Sequence, residues 1–363
     1  MKFSIVHVIT TIDLGGAEKQ LLTLAECQRR NGEEVQVVFL KGHPSLLRAF
    51  READIKVSTE FSVLNFARQF LTLRKQSRLN GVIFHAHLPR SELLCALALR
   101  PKSFVVTRHN AEPFFPKAPR FLSRMLSRFV LKRSYACISI SHAVDSYLKV
   151  SKEAPVDTKL FVIHYGMQDY FVYKERIDDF NNLEKKQIGT ISRLVPQKNI
   201  PLILQAMHIL KVENERDFYL TVAGTGPLER ELRSMSIRLG IEKNVTWAGK
   251  VSQVDEFYKK IQVFVLSSDY EGFGLVLLEA MSYGVPVVAR KVSAIPEVLG
   301  FEHPGLLVTD RPEELAAKID EFLLDLDARN NCLSYQANQI LKFSISDTKV
   351  LHDKVYECLL AGD

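Results

Sequence analysis

The sequence predicts two doubly wound α/β domains facing each other across a cleft, on three observations. Short continuous apolar runs alternate with helix-length segments almost from end to end, the pattern of parallel sheets covered by helices on both faces. At 363 residues the chain is too long for one ordinary core and suits two of moderate size. Four strand-to-helix connections carry glycines or charges suited to an anion, at the ends of the strands where such sheets bind ligands.

In the first half, Phe3–Ile9, Glu34–Leu40, Val82–Ala86, Ser103–Thr107, Ala136–Ser139 and Leu160–His164 read as strands. Helical patterns fall between them at Ala17–Asn31, Ser91–Leu99 and Arg120–Arg133. The plan repeats with strands at Lys186–Ser192, Phe218–Ala223, Asn244–Ala248, Val263–Leu266, Val285–Ala289 and Gly305–Val308. Helices are expected near Pro201–Val212, Leu228–Leu239, Val254–Lys260, Leu275–Tyr283 and Pro312–Asp325. The expected division is a first domain over 1–166, a linker over 167–186, a second domain over 187–345 and a closing helix over 346–363. Val350, Leu351, Val355, Leu359 and Leu360 give that last segment a helical stripe. Periodicity alone leaves open whether it packs back onto the first domain.

Charge is unevenly shared. Residues 1–165 hold 25 Lys and Arg against 13 Asp and Glu, whereas the remainder holds 23 against 29. A basic half points to an anionic surface or substrate near the first domain. The five cysteines are scattered and never spaced as a metal or redox pair, so a reducing cytosol is expected. The opening apolar run is too short for a signal core, and no stretch approaches the ~20 apolar residues that span a bilayer. Membrane contact, where it occurs, is expected to be peripheral.

Four loops carry the candidate chemistry. Asp13-Leu-Gly15-Gly16-Ala-Glu18 follows the first strand, and glycines there let backbone approach a pyrophosphate. Ser192-Arg193-Leu-Val-Pro196-Gln-Lys198-Asn199 sets two cations five residues apart around a proline-stiffened turn, suited to neutralising a diphosphate. Solvated surface charges give the same pattern. Ala223-Gly224-Thr-Gly226-Pro227 reads mainly as structural punctuation before a helix. In Glu271-Gly-Phe273-Gly274-Leu-Val-Leu-Leu-Glu279, one carboxylate precedes a helix and the other lies about two turns lower, at ~1.5 Å rise per residue. Amides at Phe273 and Gly274 lie between the two carboxylates, an arrangement suited to a ligand with both hydroxyls and phosphate, that is, a sugar nucleotide.

This ordered set resembles glycosyltransferase family 4, whose members are retaining enzymes of GT-B fold that use nucleotide sugars. The matching residues are Gly-Gly-Ala-Glu near the start, Arg193 and Lys198 after Gly189-Thr-Ile-Ser, Ala-Gly-Thr-Gly-Pro, Glu271-Gly-Phe-Gly through Glu279, and Ala294-Ile-Pro-Glu297. The resemblance implies that Glu279 takes the ribose hydroxyls and Glu271 contacts the donor sugar beside Phe273 and Gly274. Arg193 and Lys198 would hold the diphosphate as it leaves, Gly15 and Gly16 would close over it, and the base would lie near Gly224 and Val251. His109 fits the family's active-site histidine, with His87 and Arg108 on the acceptor side. His85 and His87, two apart on one strand face, could ligate a metal, but no third ligand is evident nearby, and Asp325-Leu-Asp327 reads as exposed. No metal or other cofactor is expected.

The resemblance further implies transfer from a nucleotide sugar, a UDP-sugar favoured, to a saccharide or lipid-linked saccharide in cell-surface polysaccharide or lipopolysaccharide assembly. Residues 120–133 set Arg120, Arg124 and Arg128 four apart, with Phe121, Leu122, Met125, Leu126, Phe129 and Val130 opposite. Such a helix can lie on anionic lipid; the more ordinary geometry turns the apolar side to the sheet and leaves the arginines solvated. The rival to an enzyme is a non-catalytic partner or regulator of the same fold. A sugar-binding receptor is disfavoured without an export signal. Nucleic-acid binding is not expected, because aromatics are not interleaved with the basic residues.

Overall fold

The computed structural model describes residues 3–76, 81–168, 186–251 and 253–362. It divides into two compact units, Met1–Gln168 with Phe343–Asp363, and Asp169–Lys342. Most of the expected linker, residues 169–185, lies outside the described residues.

The described residues of the first unit form seven strands: β1 (Ser4–Ile9), β2 (Glu34–Phe39), β3 (Lys56–Ser58), β4 (Val82–His87), β5 (Phe104–Arg108), β6 (Ala136–Ser139) and β7 (Leu160–Val162). They pair in parallel in the order β3-β2-β1-β4-β5-β6-β7. The winding reverses between β1 and β4, so the loops leaving those two strands flank the crevice of the sheet. β3, three residues at the edge, was too short to register as a periodic run.

One face of this sheet carries Phe3, Ile5, Ile83, Val105, Ile138 and Ile163, packed under Val355 and Tyr356 of the closing helix Ile345–Ala361. That helix also lies against the helix Gly16–Arg30. The opposite face buries Val6, Val8, Phe84, Ala86, Val106 and Cys137 beneath three helices, Phe66–Gln76, Pro89–Ala98 and Arg120–Arg133. Strand residues therefore alternate between two apolar layers, as a sheet covered on both sides requires.

The helix Arg120–Arg133 follows the ordinary geometry expected for it only in part: Arg120 and Arg124 are solvated and Val130 and Leu126 meet the core, but Phe121, Met125 and Phe129 do not. Its inward side is Ser123, Ser127, Val130 and Leu131, while Phe121 is 72%, Met125 58% and Phe129 38% exposed. Polar contacts set this rotation. Ser127 Oγ accepts from Arg108 Nη2 at 3.0 Å, and Ser123 Oγ accepts from the Phe115 amide at 2.9 Å. Arg133 at the far end donates to the carbonyls of Ala96 and Leu99. The outer surface thus interleaves Phe121, Met125 and Phe129 with Arg120, Arg124 and Lys132.

The described residues of the second unit form six strands, β8 (Lys186–Ile191), β9 (Phe218–Ala223), β10 (Val245–Gly249), β11 (Val263–Leu266), β12 (Val287–Arg290) and β13 (Leu306–Leu307). All pair in parallel, in the order β10-β9-β8-β11-β12-β13. Here the winding reverses between β8 and β11. The core is aliphatic, with Ile188, Leu220, Val222, Val263 and Val265 meeting Leu202, Ile203, Met207, Leu315 and Ile319 from the helices. Asp325 of the Asp-Leu-Asp sequence is the cap of the helix Leu326–Ile340, its carboxylate accepting from the amides of Asp327 and Ala328. A carboxylate at that position gives Asp325 the structural role of a helix cap.

Candidate functional site

Two groups of polar side chains sit at the carboxyl ends of these strands, one in each unit.

In the second unit the loops after β8 and β11 converge. Lys198 Nζ lies 2.5 Å from Glu271 Oε1, with both side chains mostly buried. Ser268 Oγ donates to the same oxygen at 2.6 Å, and Ser293 Oγ donates to the Glu271 carbonyl at 2.7 Å. Ser267 Oγ in turn donates to the Lys198 carbonyl at 2.8 Å. The carboxylate is therefore fixed through one oxygen, which leaves Oε2 to accept from a ligand hydroxyl. The ammonium keeps two further N–H donors beyond the one aimed at Glu271. Below the pair, Arg290 bridges Asp269 and Asp310, and Asn199 Nδ2 donates to Asp269 at 3.2 Å.

Backbone geometry explains the glycines. Gly274 caps the helix Leu275–Ser282 at φ +93°, a left-handed conformation that a side chain resists. At Gly224, φ is +125° and a Cβ would stand 1.8 Å from the Ser192 carbonyl oxygen, so the loops after β8 and β9 touch only because no side chain intervenes. Phe273 is buried and anchors the loop into the core. Glu279, about one turn into the helix, lies 3.2 Å from the hydroxyl of Tyr258, whose one proton it shares with the Val276 carbonyl at 3.1 Å. Burial, then the neighbouring Glu279, pushes the Tyr258 phenol well above its ordinary range, so it stays a donor. Arg193 is exposed and Val251 half-buried at the rim.

In the first unit Gly15 starts the helix Gly16–Arg30, and a Cβ there would lie 2.2 Å from Glu18 Oε2. Glu18 also accepts from Thr11 Oγ1 at 2.6 Å, and its pKa is raised, chiefly by burial. Gly16 is exposed. Next to this loop runs a buried chain of imidazoles. His7 Nε2 meets Gln28 Oε1 at 2.9 Å, and His7 Nδ1 meets His87 Nε2 at 3.0 Å. His87 Nδ1 meets His109 Nε2 at 3.2 Å, and His109 Nδ1 meets the Tyr165 hydroxyl. His85 bonds Tyr356 at 2.8 Å and Thr107 at 2.7 Å. Burial pushes His7 down to about 4 and His109 to about 3, and lowers His85 and His87 well below the usual range. His109 is thus a neutral imidazole with both nitrogens engaged.

Arg108, expected on the acceptor side, is corrected to an internal counter-ion. It is 5% exposed, with Nε 2.8 Å from Glu92 and Nη1 3.5 Å from Glu153, and its guanidinium lies over the Phe114 ring at 4.3 Å. Burial lifts Glu92 to about 7 despite that cation. His87 is likewise buried, at 2% exposure, inside the imidazole chain. The structure brings Lys198, Glu271 and Gly274 together, and joins His87 to His109. Sequence reasoning missed Ser268, Ser293, Tyr258, His7 and Gln28. Ser268 stands three residues before Glu271 and was within reach of inspection; the others come from elements remote in sequence.

Similarity to known proteins agrees with this geometry. The family model described as Glycosyltransferase Family 4 matches residues 14–168, and that of Glycosyl transferases group 1 matches residues 173–339. The lipopolysaccharide core biosynthesis mannosyltransferase LpsB of Rhizobium meliloti is 28% identical, over 96% of this chain and 95% of the relative. A Campylobacter jejuni α-1,4-N-acetyl-D-galactosaminyltransferase, named for an undecaprenol-linked acceptor, is 25% identical over 96% of both chains. Among solved structures, HepE from Anabaena, crystallised with UDP and glucose, superposes with a TM-score of 0.80 at 18% identity, covering 98% of this chain and 99% of that one. No helix among the described residues is long and apolar enough to cross a membrane. With both halves matched by adjoining family models on two parallel α/β sheets, the chain belongs to glycosyltransferase family 4 and is a GT-B glycosyltransferase.

Proposed function

We propose that this protein moves a hexosyl group from a nucleotide sugar, a UDP-sugar by preference, to a saccharide or lipid-linked saccharide with retention of anomeric configuration. The observation that carries the reading is the Lys198–Glu271 pair, seated where the winding of the second sheet reverses. Lys198, with Arg193, neutralises the diphosphate as the bond from the anomeric carbon to its phosphate oxygen breaks. The acceptor oxygen bonds that carbon from the same face, and its proton passes to the departing phosphate oxygen. Glu271 holds the ammonium in place and offers Oε2 to a sugar hydroxyl, while Glu279, oriented by Tyr258, takes the ribose hydroxyls. Positioning and charge stabilisation supply the rate, without a catalytic metal. Relatives named for lipopolysaccharide core and undecaprenol-linked acceptors support a place in cell-surface polysaccharide assembly.

A panel of nucleotide sugars tests this. One donor is expected to raise the melting temperature by mass action and to be consumed with an acceptor, the product anomer matching the donor by NMR, and Glu271→Ala is expected to slow transfer about 10²–10³-fold. A panel that neither stabilises the protein nor is consumed would favour the non-catalytic partner.

The reading extends to peripheral work at the cytosolic face of an anionic membrane, through the outer surface of the helix Arg120–Arg133. Each basic residue near anionic lipid contributes roughly 1 kcal/mol, and the exposed aromatic and methionine side chains can enter the headgroup boundary. Flotation with vesicles containing anionic lipid is expected to carry the protein, and Arg120→Glu with Arg124→Glu to leave it at the bottom. Equal flotation on neutral vesicles would remove the electrostatic part.

A further inference from the structure

We propose that His7, His85 and His87 form a binding site for a divalent ion of the zinc class inside the first unit. Sequence spacing offered only His85 and His87. The third imidazole comes from β1, which pairs with β4 in a register that sets His7 opposite His85 and Ile9 opposite His87. One ring nitrogen from each of the three lies within 4.8 Å of the others. His7 Nδ1 and His87 Nε2 are 3.0 Å apart. That separation is close to the ~3.3 Å edge of a tetrahedron built on zinc–nitrogen bonds of about 2.0–2.1 Å.

The outer nitrogens are already held as ligating imidazoles require. His7 Nε2 donates to Gln28 Oε1 at 2.9 Å, so its Nδ1 lone pair points at His87. With an ion between them, His87 carries its proton on Nδ1 and donates it to His109 Nε2, 3.2 Å away, while His109 in turn donates from Nδ1 to Tyr165. Partners of this kind fix the tautomer and raise ligand basicity. His85 has a hydroxyl partner at each nitrogen, Tyr356 and Thr107, so ligation releases one of them and draws the ring inward.

Three neutral donors leave the ion's charge uncompensated, so the fourth ligand is water or hydroxide. A cavity of ≈20 Å³, large enough for one water, borders His87 beside His109 and Tyr165 among Leu21, Ile138 and Ile163. Zinc lowers the pKa of such a water to about 7, so a bound hydroxide offsets one of the ion's two charges. His7 and His85 are 0% exposed and His87 2%. The ion therefore ties β1 to β4 instead of meeting substrate, and the inference stands or falls apart from the transfer reaction.

The test uses the full chain, stripped with a chelator and titrated with zinc chloride alone. One ion per chain is expected, with a higher melting temperature and an X-ray absorption spectrum of imidazole nitrogens at about 2.0 Å. His87→Leu is expected to lose the ion, and Gln28→Leu to weaken it 10- to 100-fold with the three ligands intact. Absence of binding at 100 μM free zinc (on the order of ten times a weak site's need) overturns the proposal. So does a spectrum dominated by sulfur, which would place the ion on the exposed Cys358. The unsubstituted protein's spectrum decides the matter even where His87→Leu fails to fold.

Discussion

Replacing Lys198 by alanine is expected to lower the turnover number by about 10²–10³-fold, the usual loss when one fixed stabiliser of developing negative charge is removed. The ammonium sits 2.5 Å from Glu271 and is mostly buried, so its charge acts where water screens it least. Glu271→Ala should produce a loss of similar size by a different route, freeing Lys198 to swing and removing the acceptor for a sugar hydroxyl. Because the two share one contact, the double variant is expected to fall well short of the product of the single losses. Lys198→Arg should recover only part of the rate, since a planar fork does not reproduce a compact ammonium with three rotatable donors. Steady-state rates at saturating donor are the measurement. A Lys198→Ala enzyme within threefold of the parent would remove Lys198 from the chemistry and leave it a structural partner of Glu271.

Arg108→Leu is expected to destabilise the first unit by about 3–5 kcal/mol, read as a lower urea midpoint, because it strands two buried carboxylates without their cation. Glu92 and Glu153 are 1% and 3% exposed, and Arg108 is the positive group between them. The pH dependence separates this cause from lost packing. Glu92 already titrates near 7 in the folded chain against 4.5 for the ordinary carboxyl, with burial the chief cause. A raised folded pKa favours folding when the group is protonated, and that advantage is lost as pH rises through about 7. Without the guanidinium the folded pKa of Glu92 rises further. The stability gap between variant and parent should therefore narrow as pH falls from about 8 to about 5. A gap that stays constant across that range points instead to the lost contact with Phe114.

Much of the fold was legible because strand–helix alternation is a local property. Ala136–Ser139, Phe218–Ala223 and Val263–Leu266 form strands over the expected residues, since each is a short apolar run closed by polar residues or glycine. The rotation of the helix Arg120–Arg133 was not legible. Its heptad-like stripe predicts an apolar face against the sheet, yet Ser123 and Ser127 face inward because Arg108 and Phe115 need hydroxyl partners there. The site divides along the same line. Gly224, Gly274 and Glu271 announce themselves by spacing within one loop. Arg108 stood next to His109 and took on a functional reading from that neighbour, although Glu92 of the helix Pro89–Ala98 and Glu153 of the turn after His142–Val150 enclose it.

By itself the sequence determined the alternation of elements, the loops at the strand ends and the residue types that suit a phosphate and a sugar, because each depends on neighbours within a dozen positions. Only the tertiary structure decided that Lys198 meets Glu271 across 73 positions and that His7 stands 80 positions from the His87 it touches. It also decided that Tyr258 aims at Glu279 and that Arg108 is sealed inside. Parallel pairing and helix packing bring those groups together, and the pull between a buried charge or ring nitrogen and its partner acts through space, where sequence distance has no bearing.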